Sequence, residues 1–192
     1  MEKSSKPCVG VMAGPNGAGK STLSEGLLRH GLGIETFLNA DVIARGLSAF
    51  RPEGVAWQAS QVMLQQMRKL AAKRESFAFE TTLAARTLAP WFKELREDGY
   101  AICLFYVWLQ NADLAVQRVA ARVASGGHDI PIDDIRRRYE RSVKNLWELY
   151  LPLADHWEIF DNSGEDFQVV ASGNKLKEIV IHDQSRWEQI RR

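Results

Sequence analysis

Two hydrophobic periods alternate along the chain. Short runs rich in β-formers are separated by longer stretches with helical spacing. Pro7 to Gly14 (PCVGVMAG) predicts a strand ending on glycine, and Lys20 to His30 the helix after it. Glu35 to Ala40 reads as a short second strand. Pro52 opens a helical stretch to about Arg74, with Val55, Ala59, Val62, Leu64, Met67 and Leu70 near one face. Ser76 to Glu80 is a third strand, and Leu88 to Asp98 a helix stopped by Gly99. Tyr100 to Leu109 is almost wholly apolar, which suits a central parallel strand covered on both faces. Asn111 to Ser125 and Asp133 to Tyr150 read as helices around a loop marked by Gly126, Gly127 and Pro131. Trp157 to Phe160 is a fifth strand. Residues 167–182 fit a hairpin around Gly173–Asn174, and the last ten residues an amphipathic helix or a frayed tail.

Strands alternating with helices imply βαβ units. The expected fold is a three-layer α/β P-loop NTPase or kinase fold, with a mostly parallel five-stranded sheet, helices on both faces and a helical lid. The chain shows no repeat, low-complexity segment or linker. It reads as one domain over 1–192, with the lid at about 111–150 and a C-terminal hairpin and helix at 167–192.

Composition narrows the function classes. With 192 residues, 45% of them hydrophobic, one substantial core is expected. The 25 basic and 24 acidic residues leave a net charge of +1, which favours neither nucleic acid nor a membrane surface as partner. The polar opening, Met1 to Lys6, lacks the apolar core of a secretory signal, so a cytoplasmic protein is expected. Cys8 and Cys103 both fall in apolar strand-like runs and read as small buried hydrophobes rather than a disulfide. Of the six tryptophans, Trp147 and Trp157 fit the core; Trp57 and Trp91 either pack or line a pocket.

The chemistry concentrates after the first strand. Gly14, Pro15, Asn16, Gly17, Ala18, Gly19, Lys20, Ser21 and Thr22 spell GPNGAGKST, which satisfies G-x-x-x-x-G-K-[ST] between a strand and a helix. Glycines let successive backbone N–H groups converge on a phosphate, and the helix adds its positive end. Lys20 is placed to reach the β- and γ-phosphates of ATP, and the Ser21 hydroxyl to ligate Mg²⁺. Transporter ATPases spell this loop the same way. They also carry an LSGGQ-like signature and a strand ending in Asp-Glu. Here Ala124–His128 (ASGGH) and Trp108–Asn111 (WLQN) match neither.

In an open α/β sheet, ligands gather at the carboxyl ends of the strands. The second strand ends at Asn39–Asp41 and the third at Glu80–Thr82. Asp41 reads as the base for an acceptor hydroxyl, with a helix N-cap as the plain alternative. Glu80 reads as binding the acceptor or holding Mg²⁺ through water. Thr81 and Thr82 either touch the substrate or shape the turn. Arg118 and Arg122 share a helix face, where lid arginines would neutralise charge on a transferred phosphoryl group. Arg136, Arg137 and Arg138 read better as a solvated face paired with Asp133, Asp134 and Glu140. His128 is a lid contact or a plain loop residue.

Together these segments resemble the zeta-toxin family of P-loop kinases, through GPNGAGKST, NAD (Asn39–Asp41), FETTL (Phe79–Leu83), GGHDIP (Gly126–Pro131), RRRYERSVKNL (Arg136–Leu146) and FDNS (Phe160–Ser163). The resemblance implies ATP-dependent phosphorylation of UDP-N-acetylglucosamine on a sugar hydroxyl, with a small antitoxin covering the ATP site in toxin members. It places the catalytic acid at Asp41 and the family's E-x-T at Glu80 and Thr82, both contacting the acceptor. The lid departs from the pattern. Arg118 and Arg122 suit the first of two family arginines, whereas the second falls near His128. Kinases of another small acceptor, such as a sugar acid or an antibiotic, and a non-catalytic ATP-binding module stay open as alternatives.

Overall fold

The computed structural model describes residues 6–127, 129–176 and 178–191. Its sheet has seven strands: β1 (Cys8–Ala13), β2 (Phe37–Leu38), β3 (Phe77–Thr81), β4 (Ala101–Trp108), β5 (His156–Asp161), β6 (Gln168–Asn174) and β7 (Ile179–Ile181). They run in the order β2-β3-β1-β4-β5-β6-β7. The first five are parallel, and β6 and β7 add antiparallel to that edge. The expectation of five strands is therefore corrected. The C-terminal hairpin does form, but it extends the main sheet by pairing β6 with β5 through an irregularity at Ile159/Phe160.

The helices are α1 (Lys20–Ser24), α2 (Ala40–Leu47), α3 (Ala56–Ala72), α4 (Leu88–Glu97), α5 (Ala112–Ala124), α6 (Ile132–Asn145) and α7 (Gln184–Ile190). Wider π turns continue α1 to Gly31 and α6 to Tyr150. Alternation along β1 divides the core. Val9, Val11 and Ala13 face a layer built from α3, α4, the Leu146–Tyr150 turn and α7. Met12 faces the other layer, with Leu28, Ala115, Val119 and Ile135. Both faces of the central strands are thus covered, which is why β4 has no polar side.

Helix α6 ties the lid segment to the core. Ser142 shares a 2.8 Å hydrogen bond with the fully buried Tyr106 on β4, and Asn145 donates to the Leu83 carbonyl at 2.8 Å. Leu83 sits just after β3 with a positive φ of 56°, a conformation that costs a non-glycine residue roughly 1–2 kcal/mol. Asn145 and the Tyr150 hydroxyl, which donates to Ala85, hold that turn from outside.

Cys103 is buried as expected and Cys8 only half-buried, and their thiols touch across neighbouring strands with 3.3 Å between sulfurs. Trp147 and Trp157 join the core, and Trp91 packs on Phe77 and Phe79. Trp57 does not pack: it is 73% exposed on α3. Among the described residues, no helix is long and apolar enough to cross a membrane.

Candidate active site

The carboxyl ends of β1, β2 and β3 bring the P-loop, Asn39–Asp41 and Glu80 to one edge of the sheet. The loop geometry follows from its glycines. Gly14, Gly17 and Gly19 have φ of 139°, 77° and 84°, a region closed to most side chains. Space is as restrictive as the dihedrals. A Cβ on Gly14 would lie 2.2 Å from the Val107 carbonyl oxygen, because β4 runs directly against the loop.

Lys20 is 6% exposed and donates to the Pro15 carbonyl at 3.0 Å. Its ammonium lies 3.6 Å from Glu80. Burial pushes the Lys20 pKa below the ordinary lysine range; Glu80 and Asp41 oppose that shift and Arg122 adds to it. Glu80 is the hub of this end of the sheet. It accepts from the Ser21 hydroxyl at 2.8 Å and from Asn39 Nδ2 at 2.9 Å. A hydroxyl and a carboxylate side by side make a hard-oxygen donor set, which suits Mg²⁺ completed by phosphate and water. Among the described residues, no cluster of three or more His, Cys, Asp or Glu could hold a metal unaided. Among the described residues, none hydrogen-bonds the buried Asn16 Oδ1 atom. The N–H of Thr22 donates back to the Gly19 carbonyl.

Asp41 is not the helix cap. Asn39 caps α2, its Oδ1 accepting from the N–H groups of Asp41 (2.8 Å) and Val42 (3.2 Å). The Asp41 carboxylate is thereby left exposed in the first turn of α2, on the wall of a cavity of about 650 Å³. Arg45, Phe50, Arg122 and Asp129 line the same cavity. Asn39 and its dual role as cap and Glu80 partner were not foreseen. The only local signal was an Asn two residues before Asp41 at a predicted strand end.

The two arginines of α5 separate. Arg122 faces the cavity, whereas Arg118 lies beside Gly17 and donates to the Gly164 carbonyl at 3.2 Å. The Thr81 and Thr82 hydroxyls accept from the N–H groups of Leu83 and Ala84, so both shape the turn. Arg137 pairs with Asp134 at 2.6 Å, as expected of a solvated face, whereas Arg136 reaches Asp113 on α5 at 2.6 Å instead of the expected Asp133, Asp134 or Glu140. His128 lies outside the described residues.

A mostly parallel sheet, a glycine-rich loop between β1 and α1, and acids at the neighbouring strand ends define an α/β P-loop protein of kinase-like fold. A family model described as an AAA domain matches residues 9–142, and the chain belongs to that family. A Haemophilus influenzae protein of uncharacterised function is 27% identical over 126 residues, covering 66% of this chain and 88% of that protein. The AvrRxo1-ORF1:AvrRxo1-ORF2 complex with sulphate ions superposes with a TM-score of 0.79 at 14% identity, covering 97% of this chain and 64% of that one. The present chain thus spans less than two thirds of that relative's length. The PezAT chromosomal toxin-antitoxin structure from Streptococcus pneumoniae gives a TM-score of 0.67 at 15% identity, with 99% and 85% coverage. At these identities the likeness is one of fold.

Proposed function

We propose that the chain transfers the γ-phosphoryl group of ATP to a hydroxyl of a small molecule, a sugar nucleotide resembling UDP-N-acetylglucosamine. The observation that carries the reading is the shared position of Lys20, Glu80, Ser21 and Asp41. All stand at one end of the sheet, and Asp41 opens onto a cavity large enough for a sugar nucleotide. An AvrRxo1-ORF1:-ORF2 structure of the same fold contains ATP, which supports ATP as the donor.

In this reading the P-loop N–H groups cradle the phosphates and Lys20 exchanges its contact with Glu80 for one with the γ-phosphate. Mg²⁺, when bound, would offset negative charge on the phosphates. Ser21 would hold it directly and Glu80 through water, or Glu80 would contact the acceptor. The exposed Asp41 carboxylate accepts the acceptor's hydroxyl proton and aims its oxygen at the phosphorus. Arg122, on the facing wall, balances charge on the transferred group, and Arg118 flanks the nucleotide at Gly17. Thr82 acts through the turn that carries Glu80. The PezAT toxin-antitoxin system supports an antitoxin-like protein as partner, and the AvrRxo1-ORF1:AvrRxo1-ORF2 complex supports a protein partner more generally.

Asp41→Asn tests the assignment. It removes the base and keeps the shape, so phosphoryl transfer is lost while Mg-ATP binding stays within about twofold. Transfer at the wild-type rate would remove Asp41 from the mechanism.

A further inference from the structure

The P-loop is held by residues far along the chain. Asn162, directly after β5, donates Nδ2 to the Ala18 carbonyl at 2.9 Å, and the contact is buried. It is close enough that a Cβ on Gly19 would meet Asn162 Nδ2 at 2.6 Å and the Phe167 ring at 3.2 Å. A trans peptide points its C=O and N–H in opposite directions, and the described chain contains no cis peptide. A carbonyl of Ala18 fixed toward Asn162 therefore fixes the N–H of Gly19 toward the concave side of the loop, where an anion would sit.

Asn162 is itself held at several points. Its N–H donates to the Trp108 carbonyl at 3.0 Å. The preceding Asp161 is 3% exposed, and its Oδ1 accepts from the N–H of Ser163 at 2.8 Å and from the Ser163 hydroxyl. The Ser163 oxygen in turn accepts from the N–H of Gln110 at 2.8 Å. The other oxygen of Asp161 takes the Nε of Arg186, a residue of α7. Asp183 caps α7 through the Arg186 N–H at 2.9 Å and also pairs with the Arg186 guanidinium. Trp187 seats the helix, stacked on Trp157 with 6.0 Å between ring centroids and edge-on to Trp147 at 5.1 Å.

We propose that Asn162 is a positioning residue for the nucleotide, fixing the Ala18–Gly19 peptide of the P-loop, and that Arg186 acts through Asp161 to keep Asn162 in place. The C-terminal helix is then a working part of the phosphate site, although Asn162 stands 144 positions beyond Ala18 in sequence. The inference rests on the reading that a nucleoside triphosphate occupies the P-loop. It is independent of which acceptor is phosphorylated.

The test is calorimetric titration of the full chain with Mg-ATP, with thermal denaturation run alongside. Asn162→Ala weakens Mg-ATP binding about tenfold, the worth of one charge-assisted hydrogen bond left unaimed. Arg186→Gln weakens it in the same direction, and Arg186→Lys recovers most of the loss. The double variant binds no more weakly than Asn162→Ala alone, because both changes act on one peptide. A merely structural role for Arg186 would instead lower stability and give losses in affinity that add. Wild-type affinity in Asn162→Ala, or additive losses in the double variant, overturns the proposal. Should Arg186→Gln fail to fold, Asn162→Ala decides alone. Transfer is never measured here, so absence of a phosphorylated sugar nucleotide leaves the result standing. Wild-type protein that takes up no Mg-ATP overturns both readings.

Discussion

Replacing Glu80 by glutamine isolates the contact that holds the P-loop lysine. The Lys20 ammonium is nearly inaccessible and faces the Glu80 carboxylate at 3.6 Å. At an effective dielectric near 20, two unit charges at that distance attract by about 4–5 kcal/mol. Desolvation of both groups offsets much of this, and the glutamine would keep an oxygen for Ser21 and Asn39, so the net loss of stability comes to about 2 kcal/mol. For a chain of this length that lowers Tm by about 4–8 °C. Thermal denaturation of wild type, Glu80→Gln, Lys20→Met and the double variant forms a cycle with a coupling of about 2 kcal/mol. The two single effects summing to the double within about 0.5 kcal/mol would refute a working Lys20–Glu80 pair.

Three further outcomes follow from the same geometry. Gly14→Ala places a Cβ against the Val107 carbonyl and demands a φ of 139°, so it loses Mg-ATP binding together with several kcal/mol of stability, measurable by titration and by denaturant unfolding. At pH above the lowered Lys20 pKa, Mg-ATP binding takes up protons: burial lowers the Lys20 pKa in the free protein and the triphosphate raises it again. Affinity therefore falls as pH climbs through that lowered pKa toward the ordinary lysine value, and calorimetry in buffers of different ionisation enthalpy reads the uptake; proton release would contradict it. Asn39→Ala removes the α2 cap and a Glu80 partner at once, costing about 1–2 kcal/mol in unfolding experiments and slowing transfer more than it weakens Mg-ATP binding.

Much of the fold is legible in the sequence because the central strands are buried on both faces. Tyr100 to Leu109 declares β4 by its continuous apolar run, and the nine residues from Gly14 to Thr22 declare the phosphate loop by glycine chemistry. Strand number was less legible. Alternation in 167–182 marks a hairpin but says nothing of its partner, so the joining of β6 to β5 had no sequence signal. Strand β2 has only two residues, too few for a period. At the site, strand-end logic located Asp41 and Glu80. It did not reach contacts that depend on long-range closure. The Ser21–Glu80 bond spans 59 residues and the Asn162–Ala18 bond 144. Arg118 and Arg122 share a helix face in sequence, yet one turn of α5 carries the second into the cavity and leaves the first beside Gly17.

Phosphoryl transfer to a sugar-nucleotide hydroxyl is the proposed reaction. The most direct test incubates the purified chain with Mg-ATP and a panel of UDP-sugars, and follows product masses. A gain of one phosphoryl group on a UDP-N-acetylhexosamine is expected, absent with Asp41→Asn; no gain on any UDP-sugar under conditions where Mg-ATP binds would rule the proposed transfer out.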